Sequence, residues 1–212
     1  SSITMTILHL RPIAHEPSSF LALPEAAGIE SRPVRTLSDD DLPHYRAILA
    51  PAHIDQRALA QRSAGLSRFL DAGGLLVFNG HITYPLLPEL QPFVPAAQRN
   101  LHGLVVERVA EHPVFDGVDT QDLSFRRGVA GFYARGANPP PPGATVLHVL
   151  KADRSPIDWL WHRPAGGTIL MHSGNNMWMY VDDPTSAARI ARQVLNWVRE
   201  TIAAPSTASV VS

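Results

Sequence analysis

The chain has 212 residues, 45% of them hydrophobic and 17% charged, a composition that supports a sizeable core and argues against wholesale disorder. Its 18 basic and 19 acidic side chains leave a formal net charge of −1, so no broad field of either sign recruits nucleic acid or an anionic membrane. The absence of cysteine excludes disulfides, thiolate metal sites and a thiol nucleophile, and no apolar run approaches the ~20 residues of a membrane span.

Residues 1–4, Ser-Ser-Ile-Thr, precede Met5 without the basic-then-apolar order of a secretory signal, and a cytoplasmic location is expected. "ITMTILHL" (3–10) is β-branched and apolar and predicts a first strand. Prolines 12, 17 and 24 make 11–31 a loop with one short helix, and "RPVRTL" (32–37) predicts a second strand. "SDDDLPHY" reads as a solvated turn and "YRAILAP" (45–51) as a third strand. Asp55 stands where its carboxylate can accept from the first free amides of a helix. Leu59, Arg62, Leu66, Phe69 and Leu70 follow at helical spacing, predicting a helix over 56–71 that Gly73 stops in a left-handed turn. Residues 75–79 are apolar without alternation, as in a strand covered on both faces.

Further on, 104–109 and 128–136 predict strands, 111–118 a compact turn, and 138–143 a proline-rich surface loop. Segments 144–150, 156–163 and 167–174, joined by short links, predict an antiparallel meander. Asp183 as cap and Pro184 at the first helical position predict a last helix, with Ala187, Ile190, Ala191, Val194, Leu195 and Val198 on its apolar face. The expected organisation is one α/β domain over 1–204 and a flexible tail over 205–212. Its sheet is mostly parallel and flanked by helices, with the antiparallel meander in the C-terminal half. A ligand belongs at the carboxyl edge of such a sheet.

Tyr45–Pro51, the following helix, "GGLLVFNGH", "HPVFDGV" and "GGTILMHSGNNMW" together resemble the class I glutamine amidotransferase-like superfamily, in its ThuA-like (trehalose utilisation) branch. The resemblance implies a flavodoxin-like fold with a nucleophile elbow after the strand at 75–79. Asn79 falls where the family's cysteine stands, and an amide cannot serve as that nucleophile. His172 matches the family's histidine, while Gly174 occupies the glutamate position. Glutamine hydrolysis by that route is therefore not expected.

Under this alignment Asn79, Gly80, His81, His172, Ser173, Asn175 and Asn176 converge on the carboxyl edge, with Trp178 and Tyr180 as flat apolar faces. Amides and neutral imidazoles offer donors and acceptors that suit a sugar-like molecule. Each residue also has a plainer role. Asn79-Gly80 makes an ordinary turn, His81 a loop histidine, His172 a satisfied core residue, Asn175-Asn176 a cap, and the tryptophans core bodies. No histidine pair has metal-ligand spacing; His81, His172 and an acid such as Asp158 would meet only through three-dimensional convergence, so no metal or cofactor is expected. Ser173 lies in no G-x-S-x-G elbow, and no phosphate-binding glycine loop is present.

Three functions fit. The first is a noncatalytic domain binding a small polar molecule or a protein partner. The second is a carbohydrate-metabolism hydrolase or isomerase with His172 as general acid–base, assisted by His81 or Asn79. The third is a structural subunit, homo-oligomers included, whose tryptophans and loop 81–90 form the interface. Partners in nucleic acid or membrane are not expected.

Overall fold

The computed structural model describes residues 6–14 and 18–204. The predicted tail, the start of the first predicted strand, and loop residues His15 and Pro17 lie outside the described residues. The strands are β1 (Ile7–Arg11), β2 (Glu30–Pro33), β3 (Ala47–Ala50), β4 (Leu75–Asn79), β5 (Val94–Pro95), β6 (Val106–Arg108), β7 (Phe125–Arg126), β8 (Val129–Ala130), β9 (Gly136–Ala137), β10 (Thr145–Leu150), β11 (Pro156–His162) and β12 (Thr168–His172). The helices are α1 (Gln56–Ala60), α2 (Ser63–Asp71), α3 (Thr120–Ser124) and α4 (Arg189–Ala203).

Eight strands form one sheet in the order β2-β1-β3-β4-β12-β11-β10-β6. The first five run parallel, and the meander β12-β11-β10 with edge strand β6 completes the sheet antiparallel. This is a flavodoxin-like α/β architecture. The chain leaves β1 for β2 on one side and returns to β3 on the other, so the carboxyl ends of β1 and β3 mark a topological switch point.

Alternation along the central strands divides the core into two layers. Ile48, Leu76, Phe78, Trp159, Trp161 and Met171 meet the apolar stripe of α2 (Leu66, Phe69, Leu70) on one face. Leu49, Val77, Leu170 and Leu147 meet Ile190, Val194, Leu195 and Val198 of α4 on the other. Leu75–Phe78 are buried throughout, as a strand covered on both sides requires.

Several boundaries differ from expectation for local reasons. The helix expected over 56–71 is two helices, because the Gly65 amide donates to Asp39 Oδ1 at 3.2 Å and a Cβ at Gly65 would lie 2.6 Å from Asp39 Cα. The Asp39 segment thus docks on the helix and breaks it before Ser63. Asp55 does cap α1, accepting from Ala58 N at 3.0 Å, and Gly73 ends α2 with φ +93°. The second strand starts earlier, at Glu30, and stops at Pro33, beyond which Val34–Thr36 coil into a 3-10 turn. The strand expected at 128–136 is an irregular segment flanked by the two-residue strands β8 and β9, since Arg127, Gly128 and Gly131 all hold positive φ. At the last helix Thr185, not Asp183, caps a 3-10 turn that leads into α4. Asp183 instead accepts two hydrogen bonds from the Arg126 guanidinium, at 2.9 and 3.1 Å.

Candidate functional site

β4 and β12 are parallel neighbours, and their last residues, Asn79 and His172, are register partners at the carboxyl edge. The two ends expected to meet do meet. Their side chains, however, are committed to the interior. Asn79 is 1% exposed; its Nδ2 donates to Ala50 O at 3.1 Å and its Oδ1 accepts from Met177 N at 2.9 Å. It ties β3 and the loop after β12 to β4, and no donor or acceptor capacity points outward. Gly80, with φ +115°, turns the chain away beside Ala52.

His172 is fully buried and belongs to a polar network built across the meander. Its Nδ1 lies 2.5 Å from Asp158 Oδ1, on the facing register partner in β11. The other carboxylate oxygen receives His148 Nδ1 at 2.7 Å and the Tyr133 hydroxyl. His148 Nε2 in turn accepts from Arg108 Nε at 3.1 Å, so its Nδ1 must carry the proton it gives to Asp158. A bulge makes this possible. Register slips on both sides of His148, and Leu147 and Leu150, three residues apart, reach the same core layer. Burial pushes the Asp158 carboxyl upward, but the charge of His172 and the hydrogen bonds from His148 and His172 outweigh it and hold the group well below the usual carboxylate range. Burial, then the Asp158 charge, pushes the Tyr133 phenol far above its ordinary value. Two atoms of this network are left over: His172 Nε2 and Arg108 Nη2 are buried and have no hydrogen-bond partner among the described residues.

Tyr133 roofs the network, its ring centroid 4.3 Å from that of His172. Gly174 holds the roof in place. It bridges to Ala134, and a Cβ there would lie 1.8 Å from Tyr133 O. Position 174, where the resemblance leads one to expect a glutamate, therefore has no room for a side chain, and the carboxylate bonded to His172 comes from the adjacent strand.

On the outer side of Tyr133 lies a cleft of about 840 Å³. His53 and Gln56 after β3, Gly80, His81 and Tyr84 after β4, Phe132 between β8 and β9, and Asn175 after β12 line it among others. Gln56 braces the loop, donating to His81 O at 2.6 Å and accepting from Thr83 N at 2.9 Å. The His81 ring stacks on Phe93, centroids 3.6 Å apart, and neither ring nitrogen has a hydrogen-bond partner among the described residues. Partial burial, with His172 and His53 nearby, holds its pKa below the ordinary value, so the imidazole is neutral at pH 7. Asn175 Nδ2 donates to Phe132 O at 2.8 Å, and its oxygen has no hydrogen-bond partner among the described residues.

The expected site residues thus fall into three groups. Gly80, His81 and Asn175 share the larger cleft. Asn176 and Trp178 line a second cleft of about 410 Å³ beside the end of β1. Asn79, His172, Ser173 and Tyr180 are buried behind them. Ser173 accepts from Asn138 N at 2.9 Å, and burial pushes the unpartnered Tyr180 phenol upward. Sequence reasoning gave His148, Tyr133 and Asn138 no site role and named Asp158 only as a metal candidate. Among the described residues no three His, Asp or Glu side chains are arranged to hold a metal ion.

No known family matches the chain at the sequence level, and no curated protein does. Solved structures do resemble it. Cytoplasmic Protein STM3548 from Salmonella typhimurium matches with a TM-score of 0.55 at 14% identity, covering 91% of this chain and 97% of that one. Cytoplasmic Protein STM1381 from Salmonella typhimurium LT2 matches with 0.55 at 11% identity, over 93% and 99%. A ThuA-like protein from Bacteroides uniformis matches with 0.50 at 14% identity, over 91% and 90%. At these identities the likeness shows the fold alone, an α/β sheet shared with these proteins. Among the described residues no helix is long and apolar enough to cross a membrane.

Proposed function

We propose that this chain is a noncatalytic amidotransferase-like domain of the cytoplasm that binds a small polar, sugar-like molecule in the larger cleft. The observation that carries the reading is His81: an uncharged ring, stacked on Phe93, with neither nitrogen hydrogen-bonded among the described residues, lining a cleft of about 840 Å³. That volume suits a small organic ligand. Tyr84 and Phe132, 43% and 39% exposed, add flat faces at the rim. The absence of a nucleophile at Asn79 supports binding without glutamine hydrolysis. A panel of neutral sugars and amides tests the reading by thermal unfolding. A ligand at a hundred times its Kd stabilises by about 2.7 kcal/mol, which corresponds to roughly 5–11 °C for a domain of this size. His81→Ala should remove the shift. No shift from any member of the panel refutes the reading.

The orphaned Nε2 of His172 favours a second reading, in which an Asp158-oriented imidazole acts as general acid–base on a sugar once Tyr133 moves aside. Incorporation of solvent deuterium into a sugar, followed by NMR and lost in His172→Gln, is the expected result. No incorporation with any sugar of the panel refutes it. The structural-subunit reading keeps fewer of its proposed contacts, with Trp197 half-buried and Tyr84 exposed. Trp159, Trp161 and Trp178 are at most 4% exposed, and Ile82, Leu86, Leu87 and Leu90 of loop 81–90 are core residues.

A further inference from the structure

The second cleft lies at the topological switch point, outside the carboxyl ends of β1 and β3, the place where open α/β sheets bind ligands. Its polar lining is dominated by hydrogen-bond donors. Arg11, the last residue of β1, spends one guanidinium N–H on Ser31 O at 3.0 Å and has no ion-pair partner among the described residues. His9, 4% exposed, has its Nδ1 2.9 Å from Ser31 Oγ. With that hydroxyl donating, Nε2 carries the ring proton and has no hydrogen-bond partner among the described residues. Burial, then the Arg11 charge, lowers the His9 pKa to about 4, so the ring is neutral at pH 7. Asn176 accepts from Ala52 N at 2.5 Å through Oδ1, which leaves its Nδ2 as a donor. Among the described lining residues the carboxylate is Asp182, which is exposed.

We propose that this cleft is a binding site for a singly charged oxyanion, a carboxylate group, held by Arg11, His9 and Asn176. The guanidinium supplies the charge and a planar pair of N–H groups matched to two carboxylate oxygens. His9 and Asn176 add neutral donors without adding charge, and the exposed Asp182 disfavours a dianion. The proposal stands independently of the reading of the larger cleft, although Ala14, Ala52 and His53 form a wall common to both.

Acetate and its uncharged isostere acetamide, titrated into the intact protein at constant ionic strength, test the site. Acetate should move the His9 ring signals in NMR along a saturable curve and raise the melting temperature, while acetamide and added chloride leave both in place. Arg11→Gln should weaken acetate about tenfold or more without removing the response of the larger cleft to its own ligands. Equal effects of acetate and acetamide, an acetate effect no greater than that of chloride, or undiminished binding by Arg11→Gln would overturn the proposal. The acetate–acetamide comparison uses the unaltered chain, so it decides the question even if the variant does not fold.

Discussion

Replacing Asp158 by alanine should cost this protein more than almost any other single polar change. The carboxylate is 0% exposed and accepts from His148, His172 and Tyr133, all three buried. Its removal strands those donors in a region without solvent. A buried donor left unpaired costs about 1–3 kcal/mol, and removing one partner of a buried charged pair costs about 3–5 kcal/mol. The three penalties share one relaxation, so they do not add fully, and the expected loss is about 3–5 kcal/mol. For a domain of this size that is a fall in melting temperature of roughly 6–20 °C. Urea unfolding at pH 7, followed by circular dichroism, measures the loss directly. The same network predicts a pH effect. Because the folded-state pKa of Asp158 is depressed, its stabilisation is complete above the unfolded-state value near 3.9 and is lost as pH falls below it, by at most about 1.4 kcal/mol per pH unit. Asp158→Asn lacks this titration, so the gap between variant and parent should narrow below pH 4. A loss under about 1 kcal/mol for Asp158→Ala at pH 7 would refute the reasoning, since the carboxylate would then not be organising its neighbours.

Two further outcomes follow from buried polar groups. Burial lowers the pKa of His112 to about 4, its Nδ1 accepting from Val114 N at 3.1 Å. The unfolded chain binds the extra proton first, so stability should fall as pH drops from about 6.5 to 4, by roughly 3 kcal/mol from this residue; His112→Asn should flatten that part of the curve, and an unchanged slope would count against the buried neutral ring. Introducing a thiol with Asn79→Cys should yield no glutamine hydrolysis, measured as ammonia release, and should destabilise the fold by about 2–4 kcal/mol, because Ala50 O and Met177 N lose their buried partner. Measurable turnover would show that the side chain at 79 can reach a substrate.

The sheet's parallel half, the C-terminal meander, the Asp55 cap and the Gly73 stop were legible in the chain itself, because each depends on residues within one or two turns or strands of one another. Continuous apolarity at 75–79 announces a strand covered on both faces wherever it occurs. The pairing of Asn79 with His172 followed from element order and the family resemblance. What those side chains do was decided elsewhere. Asn79 is satisfied by Ala50, 29 residues away, and by Met177, 98 residues away. Asp158 meets His148 only because a bulge reverses the alternation of β10, and a strand pattern read from sequence assumes that alternation holds. Gly174 looks like the loss of a catalytic acid, yet the backbone of Tyr133 fills the space a side chain would need. The two clefts separate neighbours in sequence, Asn175 from Asn176, because beyond β12 one side chain bonds Phe132 O and the other Ala52 N. Local periodicity encodes which face of an element is apolar; the partners of a polar atom depend on where distant segments land, and only the tertiary structure sets that.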